Sequence, residues 1–118
     1  MKKILIIGST GQIGSELSIR LRSIYGDNNV ICGYYKPPFP ENFFEAGPTV
    51  EIDATDIKQL FHAVREYDVV TMYNLAAILS AAAEKLPKLG RVVVLASLMT
   101  CLDVAREFGC GVFTPRSI

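Results

Sequence analysis

The chain has 118 residues, half of them hydrophobic, and its 12 basic side chains balance 12 acidic ones. This length suits one domain or part of one, and the hydrophobic half can form a packed core. Balanced charge gives no overall field that would attract nucleic acid or an anionic membrane. No apolar run approaches the ~20 residues of a membrane span, and the N-terminal one is too short for a signal peptide. We therefore expect a soluble, cytoplasmic protein.

The cysteines and the single histidine offer little chemistry. Cys32, Cys101 and Cys110 are odd in number and lack the paired spacing of a metal site. They are expected to be small buried hydrophobic residues in a reducing compartment. His62 lies opposite the apolar face of a predicted helix and is expected in solvent rather than in catalysis. No metal site is predicted.

The first 35 residues predict a strand, a helix and a second strand. Residues 3–7 are continuously apolar, which is typical of a strand buried on both faces of a parallel sheet. Gly26 can end the following helix, and residues 30–35 predict the second strand. The unit has about the right size for a right-handed crossover. Four apolar residues mark the helix by their spacing: Ile13, Leu17, Leu21 and Ile24.

A loop with four prolines follows at residues 36–48. It contains three phenylalanines, Phe39, Phe43 and Phe44, which either cover a sheet edge or mark a partner surface. Residues 50–53 predict a third strand, and Thr55 is the predicted cap of the next helix. The inward face of that helix is predicted from its apolar spacing to be Ile57, Leu60, Phe61 and Val64.

Residues 69–73 predict a fourth strand, and the pattern then becomes ambiguous. The β-branched run at residues 92–94 favours a strand locally, whereas apolar residues keep helical spacing through to Glu107. We favour one helix from Pro87 to Glu107 over a strand followed by a helix. Residues 112–114 predict the last strand.

Alternating strands and helices predict an α/β fold with a parallel sheet. The expected architecture is a Rossmann-like, doubly wound sheet in three layers, with strand order 3-2-1-4-5. Residues 1–118 would form one incomplete, truncated dinucleotide-binding domain. Its ligand site would lie at the carboxyl ends of strands 1 and 4, where the strand order reverses.

The stretch "IIGSTGQIGSEL" joins the first strand to the first helix and carries the glycine spacing of a phosphate-binding loop. Gly8 would make the tight turn, Gly11 would let the backbone approach a pyrophosphate, and Gly14 would let the helix pack closely. Gln12 and Ile13 open the helix, whose positive N-terminal end favours an anion. The alternative is an ordinary turn with spare glycines.

The end of the second strand departs from the usual NAD site. An acidic residue normally binds the ribose hydroxyls there, but this chain has Tyr34 and Tyr35, followed by Lys36. Tyr34 either packs over the sheet or belongs to a pocket that does not exclude the extra phosphate of NADP. The predicted cofactor is NAD, with NADP not excluded.

Three stretches together resemble a known family: the glycine loop, "NLAAILSA" at residues 74–81 and "VFTPRSI" at residues 112–118. The chain resembles the extended short-chain dehydrogenase/reductases, the NAD-dependent epimerase/dehydratases, over essentially its whole length. Within them it is most similar to the short-chain type of L-threonine 3-dehydrogenase, which oxidises L-threonine to 2-amino-3-ketobutyrate. Some members of that family lie in the mitochondrial matrix, but this sequence shows no transit peptide.

The resemblance implies site residues, some of them in the glycine loop. Ser80 would lie near the amino-acid substrate, and Ser117 matches the residue that hydrogen-bonds the substrate hydroxyl. Departures from the family are Tyr34 at the acidic position, Val94 in place of an asparagine, and Arg116 in place of a small residue. The expected cofactor contacts are Gly8, Thr10, Gly11, Gln12, Ile13, Gly14, Tyr34, Asp53, Ala54, Leu75, Ala76 and Ala77.

The family's general acid/base is a tyrosine with a lysine four positions later, and none of the five tyrosines here has one. We therefore expect the dinucleotide-binding part of an oxidoreductase that is inactive alone. We also expect it to self-associate through its last strand or to need a partner. Two alternatives stay open: a non-catalytic module that binds a nucleotide or a partner chain, and a fragment of a nucleotide-sugar epimerase.

Overall fold

The computed structural model describes residues 2–37, 39–76 and 87–114, without the side chains of 87–95. Five parallel strands form one sheet in the order β3-β2-β1-β4-β5, which confirms the predicted doubly wound topology. The strands are β1 (Lys3–Ile7), β2 (Val30–Tyr34), β3 (Thr49–Glu51), β4 (Val69–Asn74) and β5 (Gly111–Phe113). The helices are α1 (Gln12–Tyr25), α2 (Ile57–Tyr67) and α3 (Pro87–Phe108), with a 3₁₀ turn at Asp27–Asn29.

Helices cover both faces of the sheet. Successive side chains of β1 point to opposite faces, so each face needs helices to bury them. Leu5 and Ile7 are buried with side chains of α2 and α3 on one face. Ile4 and Ile6 are buried with Leu21 of α1 on the other. In the register of the central strands, Ile7 of β1 lies beside Gly33 of β2 and Asn74 of β4. The carboxyl ends of these three strands therefore meet at one edge of the sheet.

The buried side of α1 differs from the predicted apolar stripe. Ile13 and Ile24 are exposed, and the buried residues are Gly14, Ser18, Leu21 and Arg22. The guanidinium group of Arg22 donates to the carbonyls of Val30 at 3.1 Å and Pro48 at 2.9 Å. A buried cation that donates to backbone carbonyls at the starts of two strands explains this orientation, which apolar periodicity does not detect.

The predicted cap of α2 was wrong, and its predicted inward face was right only for Leu60 and Val64. The N-cap is Asp56, whose side chain accepts from the backbone N–H groups of Lys58 and Gln59, whereas Thr55 donates to the Asp53 carboxylate. An aspartate at the N-cap also suits the positive end of the helix. The inward face is Leu60, Ala63 and Val64, because Ile57 and Phe61 lie at its margin and are 44% and 38% exposed.

Residues 87–108 form a single helix, as favoured from the sequence, and the valine run lies inside it. A β-branched residue costs only about half a kcal/mol in a helix. Burial of Cys101, Val104 and Ala105 against α2 and the sheet outweighs that cost. No helix in the described ranges is long and apolar enough to span a membrane.

The three cysteines are unpaired thiols, two of them buried as predicted and Cys110 only half-buried. Burial raises the pKa of Cys101 to about 12 and also raises that of Cys110, whose thiol donates to the Val69 carbonyl at 3.0 Å. Raised pKa values suppress the reactive thiolate. His62 is exposed on α2 beside Glu66, 3.4 Å away, as predicted.

Candidate functional site

Gly8 follows β1 and packs against the backbone that follows β4. Its φ is +79°, which favours glycine, and a Cβ atom there would lie 2.8 Å from the backbone nitrogen of Ala76. The neighbouring Leu75 N–H donates to the Ile7 carbonyl at 2.9 Å. The backbone after β4 thus forms one wall of the glycine loop.

Ser9 ties the same loop to β2. It is fully buried, and its backbone N–H and hydroxyl both donate to the Gly33 carbonyl, at 3.0 and 2.8 Å. Ser9 is not among the predicted site residues, because a serine between glycines carries no periodic signal. The loop is therefore fixed on one side by β2 and on the other by β4.

Gly11 is the N-cap of α1, and its backbone angles are φ −73° and ψ 172°. No side chain caps the helix within the described ranges, and its first turn contains no acidic residue. The first backbone N–H groups of a helix lack partners within the helix, and the helix dipole makes this end positive. An uncapped, unneutralised N-terminus beside a narrow glycine loop is suited to bind a phosphate group.

Gly14 lies in the first turn of α1, where the helix touches the loop. A Cβ atom there would lie 2.5 Å from the Gly8 carbonyl oxygen and 2.8 Å from the Ser9 Cα atom. Gln12 and Ile13 are exposed at the start of the helix, and Thr10 is half-buried in the loop. The predicted glycine-loop residues are therefore brought together at the carboxyl end of β1.

An aromatic cluster occupies the end of β2, formed by Tyr34 and three rings of the proline-rich loop. The Tyr34 ring meets Phe39, Phe43 and Phe44 edge-on, with centroids 5.5, 5.8 and 5.2 Å away. Edge-to-face packing is the favoured arrangement of such rings. The loop phenylalanines therefore cover Tyr34, and the Lys36 amino group lies 5.0 Å from the centre of the Tyr35 ring.

Asp53 and Ala54 follow β3 at the same edge of the sheet. The Ile52 N–H donates to the Tyr34 carbonyl at 2.7 Å, which sets this turn beside the aromatic cluster. One carboxylate oxygen of Asp53 accepts from the backbone N–H and the hydroxyl of Thr55, at 2.9 and 2.7 Å. Leu75 and Ala76 adjoin Gly8, whereas Ala77, Ser80 and Ser117 lie outside the described residues.

The chain matches the model of the NAD dependent epimerase/dehydratase family over residues 4–114. An uncharacterized epimerase/dehydratase from Staphylococcus aureus is 40% identical over all 118 residues, which span 37% of its length.

Solved structures of L-threonine dehydrogenases have the same fold. The enzyme from Clostridium difficile has a TM-score of 0.87 and 42% identity over 99% of this chain and 37% of its own. A GalE-like L-threonine dehydrogenase from Cupriavidus necator has a TM-score of 0.84 and 38% identity over 98% of this chain and 37% of its own. The chain therefore spans little more than a third of the length of these relatives.

Proposed function

Because the chain belongs to the NAD dependent epimerase/dehydratase family, we propose that residues 1–118 form a dinucleotide-binding domain that holds NAD at the glycine loop. The observation that carries the proposal is the uncapped N-terminus of α1, next to a loop fixed by both β2 and β4. The backbone N–H groups of the first turn of α1 would receive the pyrophosphate. NAD supplies a hydride acceptor when bound.

The remaining contacts are those that the resemblance to the family implies. Asp53 and Ala54 would adjoin the adenine, and Leu75, Ala76 and Ala77 would line the central part of the cofactor. Ser80 and Ser117 would face an amino-acid substrate. The similarity to L-threonine dehydrogenases supports L-threonine as that substrate in a protein of the relatives' length. We place the chain in the cytoplasm, with neither nucleic acid nor membrane as a partner.

Substitution of Gly11 tests the proposed function directly. The φ of −73° at Gly11 is open to any residue, so the backbone itself does not require glycine there. We expect Gly11→Val to fold and to lose NAD binding, because its side chain fills the space needed by the pyrophosphate. Isothermal titration of both proteins with NAD measures this. Equal binding by both, or none by wild type at millimolar NAD, would contradict the proposal.

A second substitution tests cofactor choice. Tyr34 stands at the end of β2, where an NAD site normally has an acidic residue, so no carboxylate on that strand end repels a 2′-phosphate. Lys36, two residues further on, would supply a positive charge that attracts one. Wild type should therefore bind NAD and NADP with similar affinity, and Tyr34→Asp should favour NAD by about tenfold or more. Tyr34→Asn, which removes the same ring from the aromatic cluster without adding a charge, is the control. An unchanged affinity ratio in the aspartate variant would show that Tyr34 does not face the ribose.

A partner-binding role is favoured by one observation, an exposed apolar region at β5. Phe113 is 57% exposed and stacks on Tyr73, with ring centroids 5.0 Å apart. In the described part of the sheet, β5 pairs only with β4, so no described strand pairs with the backbone groups on its other side. We propose that the chain self-associates through this edge.

Charge at the edge strand should weaken that self-association. Phe113→Lys is expected to shift the chain towards monomer in sedimentation velocity, because lysine on an edge strand opposes pairing. The control is Ile19→Lys, which changes another exposed apolar residue, on α1. A wild-type chain that stays monomeric at every concentration, or an equal effect of both variants, would contradict the assignment of the edge.

A further inference from the structure

Asn74, the last residue of β4, carries a buried amide with a defined orientation. Its side chain is fully buried, as is that of Ser97 on α3. The Asn74 Oδ1 atom accepts from the backbone N–H of Ala76 at 3.2 Å, and Nδ2 donates to the Ser97 hydroxyl at 3.3 Å. A backbone N–H can only donate, so the atom facing Ala76 must be the oxygen. The amide nitrogen therefore faces α3.

The residue held by Asn74 is the one that forms the wall of the glycine loop. Ala76 lies against Gly8. A Cβ atom added to Gly8 would lie 2.8 Å from the Ala76 nitrogen and 3.0 Å from its Cα atom. The Leu75 N–H is bonded to the Ile7 carbonyl. Hydrogen bonds and close packing thus join Ser97 on α3, through Asn74 and Ala76, to Gly8.

We propose that Asn74, held in place by Ser97, is a positioning residue for the dinucleotide site. It fixes the backbone after β4 at the distance from the glycine loop that the cofactor requires, and so links α3 to that loop. This inference rests on the proposed binding of NAD. The inference extends that proposal by assigning a function to the side chains of Asn74 and Ser97, which are not expected to touch the cofactor.

The burial of the amide supports a positioning role over simple core filling. A buried polar group is tolerated only when hydrogen-bonded, and replacing both partners of such a bond by apolar groups of the same shape can be nearly neutral for stability. Both polar atoms of the Asn74 amide instead form directed hydrogen bonds, one to Ala76 in the loop wall and one to Ser97 on α3. Such bonds define geometry, which packing of a leucine would leave less restricted.

The test compares two buried hydroxyls on α3. Ser97→Ala removes the partner of Asn74, whereas Thr100→Val removes a hydroxyl that donates to the Ala96 carbonyl within the helix at 2.8 Å. Three quantities are measured for each variant: amide hydrogen exchange at Ala76 by NMR, NAD affinity by titration, and the melting temperature. Asn74→Leu, which removes both hydrogen bonds of the amide, is measured as well if it folds. If it does not fold, Ser97→Ala alone tests the positioning role.

Ser97→Ala is expected to speed exchange at Ala76 and to weaken NAD binding, each by about fivefold, the usual effect of one neutral hydrogen bond. Thr100→Val should lower the melting temperature comparably while leaving exchange at Ala76 and NAD affinity unchanged. Unchanged exchange in Ser97→Ala, or equal effects of both variants, would overturn the positioning role. A wild type that binds no NAD would refute the proposed function separately, since the exchange measurement needs no cofactor.

Discussion

We expect no NADH to form when the purified 118-residue chain is mixed with L-threonine and NAD. Oxidation of a hydroxyl group requires a base for its proton, and the sequence has no tyrosine followed four positions later by lysine. Under the proposed function Ser117 would orient the substrate hydroxyl, but an unassisted serine cannot take its proton near neutral pH. General acid–base catalysis alone is worth ~10²–10⁴-fold.

Loss of substrate positioning adds to this effect, because the chain spans 37% of the length of the L-threonine dehydrogenases that it matches. Absorbance at the NADH band over a long incubation measures the rate. The Clostridium difficile enzyme under identical conditions is the positive control. NAD binding by the same sample, checked by titration, separates a folded but inactive chain from an unfolded one. Threonine-dependent NADH formation above the rate without protein would contradict the expectation.

The strand order could be predicted because each element carries its own local signal. Residues 3–7 are apolar throughout, and the glycine loop links them to a helix and then to a second strand. Right-handed crossovers then leave few ways to arrange the remaining strands. The long helix at Pro87–Phe108 was predictable only as a preference, since its valines favour a strand and only tertiary burial decides between the two.

Side-chain roles that depend on distant partners could not be predicted. The inward orientation of Arg22 is set by the Pro48 carbonyl, 26 positions away in the sequence. Asn74 and Ser97 are separated by 23 positions. The cap of α2 was predicted one residue early because Thr55 and Asp56 are both good capping residues, and Asp53 binds the threonine hydroxyl instead. Sequence patterns thus locate the glycine loop but not the contacts that fix it.

Gly14→Ala is expected to destabilise the fold strongly, although alanine ordinarily favours a helix. Replacing glycine by alanine inside a helix gains about 0.5–1 kcal/mol. At Gly14, however, the added Cβ atom would lie 2.5 Å from the Gly8 carbonyl oxygen, 2.8 Å from the Ser9 Cα atom and 3.0 Å from the Ser9 carbonyl carbon. These are backbone atoms of a loop that is itself bonded to Gly33, so they cannot rotate away as a flexible side chain would.

Relief of the clash therefore requires α1 to move away from β1, which loosens the contacts of Leu21 with Ile4 and Ile6. Overpacking typically costs about 1–3 kcal/mol, and three backbone atoms within 3.0 Å put Gly14 at the upper end of that range. After the gain in helix propensity, the net loss should be about 2 kcal/mol out of a total stability of about 5–15 kcal/mol. Urea unfolding measures the loss, and Gly11→Ala is the matched control because φ at Gly11 is −73° and open to alanine. A Gly14→Ala variant as stable as wild type would show that α1 can shift without losing its packing on the sheet.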